Sequence, residues 1–103
     1  MARVAGDDRS HTYQRRASDL GALVDEKNRA YGGAFEKCGA FLALLYPDGI
    51  RPEQYADMLA LTRVFDKQCR IATDRDALGE SPWGDIAGYG LLGLVRVERE
   101  RAK

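Results

Sequence analysis

The sequence predicts an all-α chain of about four helices, closed as a bundle or completed by a partner chain. Three observations at the level of the residues carry the all-α part of that prediction. Apolar residues recur at i, i+3 and i+4 through successive stretches. Glycine and proline signals separate those stretches. No segment alternates as a half-buried strand would, and valine and isoleucine are sparse.

Residues 1–16 are polar, charged and aperiodic, which predicts a flexible N-terminal arm ahead of a single helical domain over 17–103. The first helix is expected over 18–32, with Ser18 as N-cap and Leu20, Leu23, Val24, Lys27 and Tyr31 along one stripe. Gly32 and Gly33 break it. The second, over 34–46, places Phe35, Cys38, Phe41, Leu42 and Leu45 on one side. Pro47, Asp48 and Gly49 then mark a turn.

The third helix opens at Pro52, a favoured first-turn position, and carries Met58, Thr62, Phe65, Cys69 and Ala72 on one face. Gly79 ends that region. In the last helix Ser81 is the expected cap and Pro82 the first helical residue. Four glycines follow (Gly84, Gly88, Gly90 and Gly93), each costing a helix roughly 1 kcal/mol relative to alanine. Close approach of neighbouring helices at these small residues is the expected compensation.

Composition narrows the function classes. Of the 103 residues 45% are hydrophobic and 31% charged, the balance of an ordinary globular protein rather than a disordered one. Lysine plus arginine equals aspartate plus glutamate at 16 each, which speaks against nucleic-acid binding through phosphate attraction and leaves self-association unopposed. Cys38 and Cys69 form no CxxC pattern and His11 stands alone, so a zinc site is not expected. No apolar run has membrane-spanning length, and the N-terminus has no signal-like apolar core, which predicts a cytoplasmic protein.

Two stretches carry candidate chemistry. In the third helix Arg63, Asp66, Lys67 and Arg70 project together, either as a solvated stripe with an Asp66–Arg70 pair or as a mixed-charge lining. In the lining, Lys67 and Arg70 would meet phosphate oxygens while Asp66 holds a cation. In the last helix Asp85 is either a first-turn acid that complements the helix dipole or, among Trp83, Ile86, Ala87 and Leu91, a partly buried acid that needs a cation or donors. Tyr89 is one turn on, and Glu80 lies just before the cap.

The segments "EKNRAYGGAF", "RVFDKQCRIA" and "GESPWGDIAGYGLLGL" together resemble the phage and bacterial nucleotide-modification-associated proteins, relatives of the MazG-like all-α nucleoside triphosphate pyrophosphohydrolases. The resemblance spans residues 18–95. It implies an oligomeric helical bundle that binds a nucleotide or nucleotide-like molecule, with Mg²⁺-dependent hydrolysis to monophosphate and pyrophosphate as the activity. By position it implies Glu26 and Asp85 as catalytic acids, and Asp66, Glu80 and Asp85 as metal ligands. Lys27, Asn28, Tyr31, Lys67, Arg70 and Tyr89 would be the nucleotide-binding residues. The sequence departs from the family pattern in having no ExxE; Glu26, beside Asp25, is the single acid at that place. A nucleotide binder without turnover and a helical protein-interaction module are the alternative readings.

Overall fold

A computed structural model describes residues 11–103 of the chain. These form four α-helices, α1 Thr12–Ala30, α2 Ala34–Leu45, α3 Tyr55–Asp74 and α4 Pro82–Arg101. Short 3₁₀ turns, Pro52–Gln54 and Ala77–Gly79, lead into α3 and follow it. No strand occurs among the described residues. The helix α3 is the hub, and α1, α2 and α4 all pack against it.

The first helix starts at Thr12, six residues before the expected cap. The reason is local: the residues from Thr12 to Ala17 include no glycine or proline, and Gln, Arg and Ala propagate a helix well. Ser18 therefore lies inside the helix and caps nothing. Of the expected arm, residues 1–10 lie outside the described part of the chain and Thr12–Arg16 are helical. The other boundaries fall where the punctuation predicts. The Ser81 hydroxyl accepts from the Gly84 amide at 3.3 Å, with Pro82 at the first helical position.

Gly32 and Gly33 turn the chain between α1 and α2 in left-handed conformations, with φ of 62° and 72°. Gly32 also lies hard against the Thr73 side chain of α3, where a Cβ would overlap the hydroxyl. The turn thus needs glycine twice over, for its dihedral and for its neighbour. Beyond it, Phe41 of α2 stacks on Phe65 of α3 with ring centroids 4.3 Å apart. Cys38 and Cys69 remain free thiols in this region, and burial pushes both above the ordinary thiol range.

The core is small. Ala30 and Ala34, at the α1–α2 turn, and Pro82 at the start of α4 are the buried apolar residues among those described. The face expected on α2 is only partly covered, since Phe41 and Leu42 are half-buried while Phe35 is 90% exposed. Periodicity placed Cys38, Phe41 and Leu42 on the covered side, whereas Phe35 and Leu45 at the two ends of that face are exposed. The molecule extends 68 × 31 × 27 Å with a radius of gyration of 19.7 Å. A compact domain of this length has a radius of about 13 Å.

The expected compensation for the glycines of α4 is also absent among the described residues. A Cβ built at Gly88, Gly90 or Gly93 meets nothing within 4 Å, so no described helix approaches closely there. Polar contacts help to fix α4 on α3 beside the buried Pro82 and half-buried Ile86 and Val97. Arg96 pairs with Asp57 at one end of α3, and Lys67 with Asp85 near the other. The connecting loop is held by Arg70, whose guanidinium donates to the carbonyls of Arg75 and Glu80.

Candidate functional site

Lys67 is the centre of the site. It sits on the side of α3 that faces both α1 and α4, because α3 packs against each of them along that stripe. Its Nζ donates to the Tyr31 hydroxyl at 3.2 Å and lies 3.3 Å from the Asp85 carboxylate. It also stands 5.4 Å from the centre of the Tyr31 ring, within cation–π range. Burial alone would lower the Lys67 pKa, but the hydrogen bonds and charges of Tyr31 and Asp85 outweigh it and hold the ammonium above the ordinary lysine range.

Two clefts flank this contact. The first, about 620 Å³, opens between the end of α1 and the start of α2. Val24, Tyr31, Ala34 and Phe35 give it apolar walls, and Lys27, Asn28, Asp25, Glu36 and Asp66 bring polar groups to it. Burial pushes the Asp66 carboxyl above the usual carboxylate range, and the neighbouring Lys67 offsets this in part. The second cleft, about 450 Å³, lies between α3 and α4. Lys67, Glu80, Asp85 and Tyr89 line it along with Leu92, while Gly84 and Gly88 leave its floor open.

The sequence-derived residues therefore divide into two groups joined at Lys67. Lys27, Asn28, Tyr31 and Asp66 belong to the first cleft, and Glu80, Asp85 and Tyr89 to the second. Asp85 has the cationic partner that its apolar surroundings call for.

Two expected residues lie elsewhere. Glu26 projects from the exposed side of α1 and is taken up by Arg29 at 2.5 Å; that guanidinium holds the Glu26 carboxyl below its ordinary range. Arg29 also reaches Asp74 of α3 at 3.0 Å, which pins the end of α1. Arg70 is fully buried and turned onto the loop carbonyls, so neither the phosphate contact nor the Asp66–Arg70 pair forms. The helical stripe places Arg70 beside Lys67, but the loop from Arg75 to Glu80 folds over it.

The expected metal set is not assembled either. Among the described residues no three His, Cys, Asp or Glu side chains form a group that could hold a metal ion. Asp66 looks into the first cleft while Glu80 and Asp85 line the second, and Asp85 is occupied by an ammonium. A Mg²⁺ ion bound through protein carboxylates does not fit this donor arrangement.

Sequence reasoning missed Glu36 as a cleft residue and placed Phe35 on the buried face of α2. Nothing in their own spacing marks them; they reach the cleft because the turn at the two left-handed glycines sets the start of α2 next to the end of α1. Gly84 and Gly88 had a signal, since their spacing of four parallels that of Asp85 and Tyr89 and puts both pairs beside one groove. No helix among the described residues is long and apolar enough to cross a membrane. Comparison with known proteins found no family model, no curated protein and no solved structure that matches the chain.

Proposed function

We propose that this chain is a nucleotide-binding protein of MazG-like type, acting in the cytoplasm as an oligomer, that holds its ligand without metal-dependent turnover. The observation that carries the reading is the position of Lys67, held by Tyr31 and Asp85 at the junction of two open clefts. The first cleft has the size and lining of a small-molecule site, apolar walls with a few polar groups. Tyr31 and Phe35 offer aromatic surface to a base, and the Asn28 amide can donate and accept at its edge. Lys27 and Lys67 supply the cations for phosphate oxygens. The two free thiols suit a reducing compartment.

Binding is favoured over hydrolysis because Asp66, Glu80 and Asp85 are divided between two clefts and Glu26 is engaged by Arg29. The test is calorimetry with nucleoside mono-, di- and triphosphates, with and without Mg²⁺, alongside an assay for released pyrophosphate. Saturable binding that Lys67→Met weakens at least tenfold, with no pyrophosphate released, is expected. An absence of binding across the panel would overturn the nucleotide reading. Pyrophosphate release lost in Asp85→Asn would replace sequestration by catalysis.

A further inference from the structure

The register of α2 on α3 sets the two cysteines level with each other. Just before α2, a Cβ at Gly32 would meet the Thr73 side chain and the Cys69 carbonyl of α3. Further along α2, Phe41 stacks on Phe65. Moving forward along α2 therefore moves backward along α3, so the two helices run antiparallel. Cys38 is one turn before Phe41 and Cys69 one turn after Phe65. Both thiols thus stand between these two contacts, half-buried and free. Neighbouring charges report the same meeting point. The Lys37 ammonium lowers the Cys69 thiol, while Asp66 raises both thiols and Cys38 raises Cys69. Packed helices have axes about 8–10 Å apart, with Cα atoms about 2.3 Å from each axis. Facing residues then bring their Cα atoms within the roughly 4.4–6.8 Å that a disulfide spans.

We propose that Cys38 and Cys69 close a reversible disulfide that locks α2 onto α3 beside the first cleft, with a low-molecular-weight disulfide as the oxidant. The thiolate of one cysteine attacks a sulfur of the small disulfide and expels one small thiolate. The thiolate of the other attacks the protein sulfur of the mixed disulfide and expels the second. The two cysteine protons end on the two small thiols, and the two electrons reduce the small disulfide. Burial makes the attacking thiolate scarce at neutral pH, so the lock answers sustained rather than brief oxidation.

The lock has something to hold. The cover of α2 is narrow, since Phe35, Leu44 and Leu45 are exposed. Ala34 and Phe35 lie about one turn before Cys38, and Asp66 one turn before Cys69; all three line the first cleft. Oxidation fixes one wall of that cleft relative to another, whatever the cleft binds.

The test equilibrates the full chain with glutathione and glutathione disulfide at graded ratios, followed by acid quenching and peptide mapping. A Cys38–Cys69 cross-link is expected, with the intact chain lighter by two hydrogens and restored by dithiothreitol. The oxidised chain should melt higher by about 10 °C or more, the gain of a bond that closes a loop of this length. Amide exchange over α2 should slow at least tenfold. Cys38→Ser and Cys69→Ser should each lose the cross-link and both gains, and carry at most one glutathione adduct. Two glutathione adducts on the parent chain with no cross-link would overturn the proposal, as would a cross-link formed only between chains. An internal cross-link that leaves the exchange of α2 unchanged would overturn the lock.

Discussion

The ammonium of Lys67 lies 3.3 Å from the carboxylate of Asp85, and this ion pair joins the hub helix to the helix that carries four of the eleven glycines. The lysine side chain is 16% exposed and the aspartate 37%, so the pair sits between a surface bridge and a buried one. Its net contribution should be about 1 kcal/mol, above the median for surface pairs.

Lys67→Met and Asp85→Asn should each lower the melting temperature by about 4–8 °C, the shift that 1 kcal/mol gives in a domain of this size. The double variant should cost less than the sum, with a coupling of about 0.5–1 kcal/mol. Strict additivity in thermal or urea melts would show that the two side chains act separately. Because the folded pKa of Lys67 is raised, its stabilisation is complete below the ordinary value of 10.5 and lost as the pH climbs through the higher folded value. The parent should therefore lose stability on the far alkaline side, and Lys67→Met should lose less there.

Gly32→Ala should be among the most damaging single-methyl changes in the chain. The left-handed dihedral costs an alanine about 1–2 kcal/mol, and the new methyl overlaps the Thr73 hydroxyl. Adding Thr73→Ala should recover the steric part and leave the dihedral part. Chemical denaturation of the two variants separates these contributions, and full recovery in the double variant would mean that the dihedral costs nothing.

Asp66 predicts a second pH response of the same sign, in the acid range. Its folded pKa is raised, first by burial, so the native state binds this proton more tightly than the unfolded chain. Stability falls as the pH rises from the ordinary value of 3.8 through the raised folded value, then stays at the lower level. Asp66→Asn should accordingly melt higher than the parent at neutral pH, with the advantage fading in acid. Equal melting points at neutral pH would refute this.

Arg70→Met should loosen one loop more than the molecule. Its guanidinium holds the carbonyls of Arg75 and Glu80, while its Nε and Nη1 atoms are buried without partners. Removing a partly satisfied buried cation offsets some of the lost hydrogen bonding. The same loop keeps Leu78 at a left-handed φ of 66°, a conformation unfavourable for leucine. Amide exchange between residues 75 and 80 should accelerate at least tenfold, with α3 protection changed less. Uniform acceleration along the chain would mean that Arg70 supports the whole fold.

Glycine, proline and serine made much of the architecture legible beforehand. The breaks at Gly32 and Gly33, the start at Pro52 and the Ser81 cap are local events, set by backbone dihedrals and short-range hydrogen bonds. The start of α1 was misplaced because charge was read as disorder where helix propensity was good. Long-range facts were harder. Helical spacing put Arg70 on the same stripe as Lys67, and both do face the α4 side; which of them a loop would cover was not written in that spacing. The glycines of α4 carried a signal for a small-residue surface but none for its use, and in the single chain the clearest use is the open floor at Gly84 and Gly88. Tyr31, Lys67 and Asp85 meet because polar side chains embedded in apolar stripes must find one another when the helices pack.

The attachment of α4 has a consequence for how the chain finds its alignment. Going down α3, Asp57, Lys67 and Arg70 take hold of Arg96, Asp85 and the Glu80 carbonyl in reverse order along α4 and its leading loop. Apolar contact is non-directional and would tolerate α4 sliding by one helical turn, about 5.4 Å. The three polar holds would not, because a slip of that size breaks all of them together. Alignment of this helix pair is therefore all-or-none, written in charges and a carbonyl rather than in the shapes of side chains.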